Sequence, residues 1–101
     1  MIDKAGYLYI ITNPAFPNFV KIGTTHNLKQ RLHVYQTGDP SRSYKIEYSL
    51  FHVRFREAEK KIKLYMKPFA KSIRNEWYEV DIHMAIPRLH EVLEEYHMPS
   101  E

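Results

Sequence analysis

Two runs rich in Tyr, Ile, Val and Phe, residues 6–12 and 19–23, are separated by Asn13-Pro14-Ala15-Phe16-Pro17-Asn18. Proline donates no ladder hydrogen bond, and asparagine favours turns, so the separator cannot continue either strand. The stretch predicts a β-hairpin with a six-residue loop. Strand alternation then assigns faces. Leu8 and Ile10 share one face of the first strand, and Tyr7, Tyr9 and Ile11 the other. In the second strand Val20 and Ile22 share a face, with Phe19, Lys21 and Gly23 opposite. If the aliphatic faces meet the core, Tyr9 and Lys21 emerge together on the other side. Lys21 is then either the solvent-facing member of an alternating strand or a cation placed toward an anion.

The rest of the chain supplies helices to cover this hairpin. Leu28, Leu32 and Tyr35 fall at i, i+4, i+7 and predict a helix over 27–37, stopped by Gly38-Asp39-Pro40-Ser41. Arg31 and Tyr35 are i, i+4 neighbours at the edge of that stripe. A third strand is expected over 44–53. A second helix follows over about 55–69, with Phe55, Ala58, Ile62, Tyr65, Met66 and Phe69 as its core stripe. Glu59 lies about 20° beyond one edge of this stripe, and Glu57 points away from it. Residues 76–80 read as a short fourth strand or an extended segment. Asp81 offers an N-cap to a last helix over 82–96, which Pro87 either kinks or truly starts. The expected fold is α+β: one domain over 1–101 with a small three-stranded antiparallel sheet flanked by three helices.

Charge narrows the partners. From Arg54 to Arg74 there are eight Lys/Arg against Glu57 and Glu59, whereas Asn75 onward carries Arg88 against seven acids. A basic stretch of this kind suits a phosphate-bearing partner, with Lys60, Lys63 and Lys67 as its contacts. It equally suits a solvated helix face. Zero cysteines exclude disulfides and Cys-type metal sites and fit a cytoplasmic protein. No apolar run is long enough to span a membrane, and no signal peptide is apparent. His83, His90 and His97 recur every seven residues on one helix side, a rise of about 10.5 Å per interval, too far for neighbours to chelate one ion.

The order of short motifs resembles the GIY-YIG nuclease superfamily over about residues 6–80. A first motif ends at Tyr9 within Tyr7-Leu8-Tyr9, and a second reads Lys21-Ile22-Gly23. Arg31 follows that glycine by eight residues, and Tyr35 comes four later. Glu59 stands within Ala58-Glu59-Lys60-Lys61-Ile62, ahead of Asn75-Glu76-Trp77-Tyr78. The pattern looks like the branch known from phage proteins, with K-I-G as second motif and a later E-W-F/Y. Tyr7 replaces the glycine of the first motif, and Lys21 replaces the tyrosine of the second, as in some restriction-enzyme relatives.

The resemblance implies phosphodiester hydrolysis with one divalent ion, Mg²⁺ or Mn²⁺, held by Glu59. Tyr9 would accept a proton from the attacking water, with Lys21 tuning its phenol or gripping the phosphate. Arg31 would stabilise developing charge, supported by Tyr35. Tyr9, Lys21, Arg31 and Glu59 are accordingly expected on one concave surface, and Tyr9 and Glu59 on opposite sides of the sheet would end the nuclease reading. The substrate would be nucleic acid, DNA in preference to RNA. Loops, a homodimer or a partner protein would supply specificity. Simpler roles stand beside these. Glu59 can pair with Lys63 at i, i+4, Tyr9 can be a packing residue, and Trp77 reads as core instead of a base-stacking platform. The alternative function is a nucleic-acid-binding or interaction module on the same fold that has lost cleavage.

Overall fold

The structure is a computed structural model describing the backbone of residues 5–97 and side chains through Glu94. Eight elements follow in order: β1 (Gly6–Thr12), β2 (Phe19–Thr25), α1 (Leu28–Thr37), β3 (Lys45–His52), α2 (Phe55–Met66), β4 (Ile73–Arg74), β5 (Trp77–Glu79) and α3 (Ile82–His97). The strands form one antiparallel sheet in the order β3-β1-β2-β5-β4.

The hairpin forms in the expected place. Its loop is held by Asn13, whose backbone and side-chain oxygens accept from Phe16 N at 2.9 Å and Ala15 N at 2.9 Å. The Asn13 amide in turn donates to Asp39, 3.1 Å away in the α1–β3 connection. Backbone N–H groups of Ser43 and Ser41 also converge on the Asp39 carboxylate and hold it below the usual range. Two irregular loops are thereby locked together.

The sheet has five strands, not three. β5 falls within residues 76–80, read as a short fourth strand or an extended segment, whereas β4 is two residues long, too short for alternation to announce; the two form a hairpin docked on β2. Asn75 turns that hairpin with left-handed backbone at φ 58°, a conformation asparagine tolerates. β5 pairs only with Phe19, Val20 and Lys21 of β2. From Ile22 to Thr25, β2 therefore has β1 on one side and, among the described residues, no strand on the other.

Helices cover the two faces unequally. Leu8, Ile10, Val20 and Ile22 pack against Ala58, Ile62 and Met66 of α2 and Ala85, Leu89 and Leu93 of α3. α2 stops at Met66, short of the expected 69, where Pro68 has no N–H to continue it. Phe69 consequently falls outside the core and is exposed, while Tyr65 is half-buried. α3 starts at Ile82, with the Asp81 carboxylate accepting from His83 N at 2.9 Å, so Pro87 lies inside the helix. The opposite face receives α1, capped by Asn27, whose side chain accepts from Gln30 N at 3.0 Å. No α1 residue is fully buried; Leu28, Leu32 and Tyr35 are half-buried.

Candidate active site

Tyr9 occupies the middle of β1 on the α1 side, directly opposite Gly23 of β2. Its ring reaches across β2 through the space Gly23 leaves. A Cβ on Gly23 would lie 2.5 Å from the Tyr9 hydroxyl and 2.6 Å from the ring carbon bearing it. That close approach is the structural reason for glycine here. The Tyr9 hydroxyl lies 3.3 Å from that of Tyr35, with the rings edge to face at 6.4 Å. Arg31, one turn before Tyr35 and exposed, acts electrostatically on both phenols. Lys21 completes the group, its Nζ 5.5 Å from the centre of the Tyr35 ring and 3.4 Å from Glu76 Oε1. Tyr9, Lys21, Arg31 and Tyr35 are thus brought together.

Burial decides how the phenols titrate. It pushes Tyr9 well above its ordinary value, and the bond to Tyr35 pushes further; the Arg31 cation opposes the shift and loses. Tyr35 is raised by burial as well. The cation that acts on Tyr9 is therefore Arg31, where Lys21 was expected, and it does not make a phenolate accessible near neutral pH.

Glu59 sits elsewhere. One oxygen accepts from Thr24 Oγ1 at 3.4 Å, and the other lies 2.9 Å from Lys63 Nζ. Thr24 alternates with Gly23, so it faces the α2 side while Tyr9 faces the α1 side. The expectation that one concave surface on one side of the sheet carries Tyr9, Lys21, Arg31 and Glu59 fails, and with it the nuclease reading in the form that needs all four on one face. α2 packs on the aliphatic face, and a residue that leans from it toward the sheet must arrive on that face. The two sets nevertheless end at the same place. Gly23 and Thr24 are consecutive residues of the unpaired stretch of β2, one meeting the Tyr9 hydroxyl and the other the Glu59 carboxylate. Glu76, in the β4–β5 turn, acts electrostatically on both Tyr35 and Lys63. The candidate site folds around a strand edge instead of lining a face.

Residues 6–97 match the T5orf172 domain family. The chain belongs to it. This family is phage-associated and related to nuclease-like folds, and the match runs through α3, beyond the limit near residue 80 expected from the motifs. No curated protein and no solved structure matches the chain.

Within this T5orf172 domain, Glu59 is a half-buried carboxylate beside Thr24 and Lys63. Among the described residues no three His, Cys, Asp or Glu side chains group as a metal cage. Mg²⁺ is commonly bound by one or two carboxylates together with substrate phosphate, so a single glutamate fits that ion's habits. Lys63 shares that carboxylate. Burial pulls the Lys63 ammonium down, but Glu59 outweighs it and holds the lysine above its ordinary range. Lys63 is therefore engaged and half-buried, unlike Lys60 on the same helix and Lys67 at its C-cap, which are exposed. Glu57 is solvent-exposed, 3.8 Å from Arg54. His90 is bound to the Tyr48 hydroxyl at 3.0 Å, and the His97 side chain lies outside the described residues. No helix among the described residues is long and apolar enough to cross a membrane.

Sequence reasoning missed Thr24 and Glu76. Thr24 was available, since alternation puts the residue after Gly23 on the opposite face. Glu76 was not, because only the β4–β5 docking brings its carboxylate to Lys21.

Proposed function

We propose that the chain is a metal-dependent endonuclease domain of the GIY-YIG type that hydrolyses phosphodiester bonds in DNA. One observation carries this: Tyr9, Arg31 and Tyr35 on one side and Glu59 on the other flank the same unpaired Gly23–Thr24 edge. A strand edge is narrow enough for a phosphate to touch groups rooted on both faces. Arg31 is exposed and would bind a phosphate oxygen and stabilise charge developing on it. Lys21 adds positive charge beside it, tempered by Glu76. With its phenol buried, kept protonated and 3.3 Å from the Tyr35 hydroxyl, Tyr9 enters not as the resting-state base but by orienting Tyr35, whose half-buried phenol would donate to the phosphate. Glu59 would hold Mg²⁺ or Mn²⁺ after Lys63 releases one oxygen. Bound there, the ion would supply charge neutralisation at the phosphate and leaving oxygen.

Supercoiled plasmid and single-stranded DNA, incubated with Mg²⁺, Mn²⁺ or EDTA, test the reading. Metal-dependent nicking that disappears in Glu59→Gln is the expected result. Absence of nicking under every condition overturns it. The second reading, a binding module without cleavage, is favoured by the Lys63–Glu59 contact at 2.9 Å, which neutralises the carboxylate that catalysis would need. Lys63→Met separates the two. It frees Glu59 and raises metal-dependent cleavage if the domain is a nuclease, and produces none if it is not.

A further inference from the structure

Five aromatic rings form a continuous track that ends at the candidate site. Phe16 of the β1–β2 loop lies 5.4 Å from Trp77 of β5, and Trp77 lies 6.3 Å from Tyr44, just before β3. Tyr44 is 5.0 Å from Tyr35 of α1, which meets Tyr9 at 6.4 Å. The rings come from five separate segments of the chain. A hydrophobic core would bury them all, yet only Tyr9 is buried. Phe16 is 43% exposed, and Trp77, Tyr44 and Tyr35 are half-buried. Trp77 was expected in the core and is absent from it. Beside it opens a cleft of about 490 Å³, lined by Phe16, Pro17, Arg74, Asn75 and Trp77 among others.

One cation stands at the outer end of the track and a second, shared with Glu76, beside its middle. Arg74 is exposed and has no carboxylate partner among the described residues, while Lys21 lies against the Tyr35 ring. Exposed rings beside cations match what an unpaired nucleic-acid strand presents, a base face at each step and a phosphate between steps. A duplex keeps its base faces stacked internally and cannot offer them. β5 also fixes the track relative to the reacting edge, because Trp77 pairs with Lys21 in the sheet.

We propose that this track binds the unpaired strand of a nucleic acid, with a base seated in the cleft against Trp77 and Phe16, and leads that strand to the Gly23–Thr24 edge. The proposal rests on the nucleic-acid part of the function above and deepens it by naming single-stranded or frayed DNA as the substrate class. It needs no cleavage.

Trp77 is the chain's one tryptophan, so its fluorescence reports occupancy of the cleft directly. Oligothymidylate and a blunt duplex of equal length are titrated at low salt in EDTA, where no metal-dependent cleavage occurs. Quenching and tighter binding with the single strand are expected. Phe16→Ala should weaken single-strand affinity about tenfold and leave duplex affinity unchanged. Arg74→Gln should weaken it with a salt slope lower by about one. Phe16→Leu keeps apolar bulk without the ring, so its loss of affinity with an unchanged melting temperature excludes a folding defect. Equal quenching and affinity for both ligands, or unaltered single-strand binding by Phe16→Ala, overturns the proposal. Cleavage without Trp77 quenching would remove the track and leave the nuclease; quenching without cleavage in any metal would do the reverse.

Discussion

The two faces of the central hairpin are made from alternate residues of the same strands, yet they have become different environments. On the α2–α3 side Leu8, Ile10, Val20 and Ile22 meet aliphatic residues of two helices, and the contact is dry. On the α1 side the sheet presents Tyr9 and Lys21 to a helix that buries no residue completely. One face holds the fold together. On the other, Lys21 and Tyr35 are half-buried and Arg31 is exposed, so a ligand can compete for them. The difference teaches that Tyr9, though buried, belongs functionally to the thinly covered side, and that Glu59 reaches the site only by way of the edge.

Truncation should expose this contrast most strongly. Ile62→Ala, beneath α2, is expected to cost about 2–5 kcal/mol in chemical denaturation. Leu32→Ala, on half-buried α1, should cost about 1 kcal/mol. Comparable losses would break the distinction between the faces.

The glutamate pair tests whether the edge joins the faces chemically. Glu59→Gln should reduce metal-dependent cleavage by about 10²-fold or more while leaving the melting temperature and low-salt binding nearly intact. Glu57→Gln, on the exposed side of the same helix, should alter stability by no more than about 0.5 kcal/mol and cleavage little. Equal rate losses would indicate a general charge effect instead of a metal ligand.

Gly23→Ala sharpens the role of the close approach. Its Cβ would force the buried Tyr9 ring to move, at a cost of about 1–3 kcal/mol. Cleavage should fall by more than the folded fraction does, because the Tyr9–Tyr35 contact is displaced; a fall matching unfolding alone would place Tyr9 outside the site.

The smallest effect is in alkali. A folded-state Tyr9 raised above its ordinary value of 10.0 keeps its proton after the unfolded chain has lost it. Its contribution is therefore complete below about pH 10 and declines as pH rises beyond it. Tyr9→Phe should flatten the drop in melting temperature above pH 10. An unchanged slope would mean that Tyr9 is better solvated than its burial indicates.

Much of this was legible from residues alone because it is local. The proline-flanked loop, the alternation around Tyr9 and Lys21, the Asp81 helix start and the i, i+4 pairing of Glu59 with Lys63 each depend on a few neighbours in the chain. The family resemblance implied one site of Tyr9, Lys21, Arg31, Tyr35 and Glu59, and the first four of these meet. The sidedness of Glu59 escaped because a helical stripe tells which way a residue leans, not which face of a sheet the helix lands on.

What the sequence by itself determined was the hairpin, its two faces, the three helices and the set of side chains that crowd around Gly23. Tertiary structure alone decided that a two-plus-three-residue hairpin would extend the sheet to five strands and stop after Lys21. It thereby left Ile22–Thr25 without a second strand neighbour among the described residues, put Glu76 against Lys21, and held Trp77 out of the core. The physical reason is range. Periods of 2 and 3.6 residues are written in adjacent positions, whereas strand docking depends on loop closure between segments more than 50 residues apart in the case of Lys21 and Trp77, which no local pattern encodes.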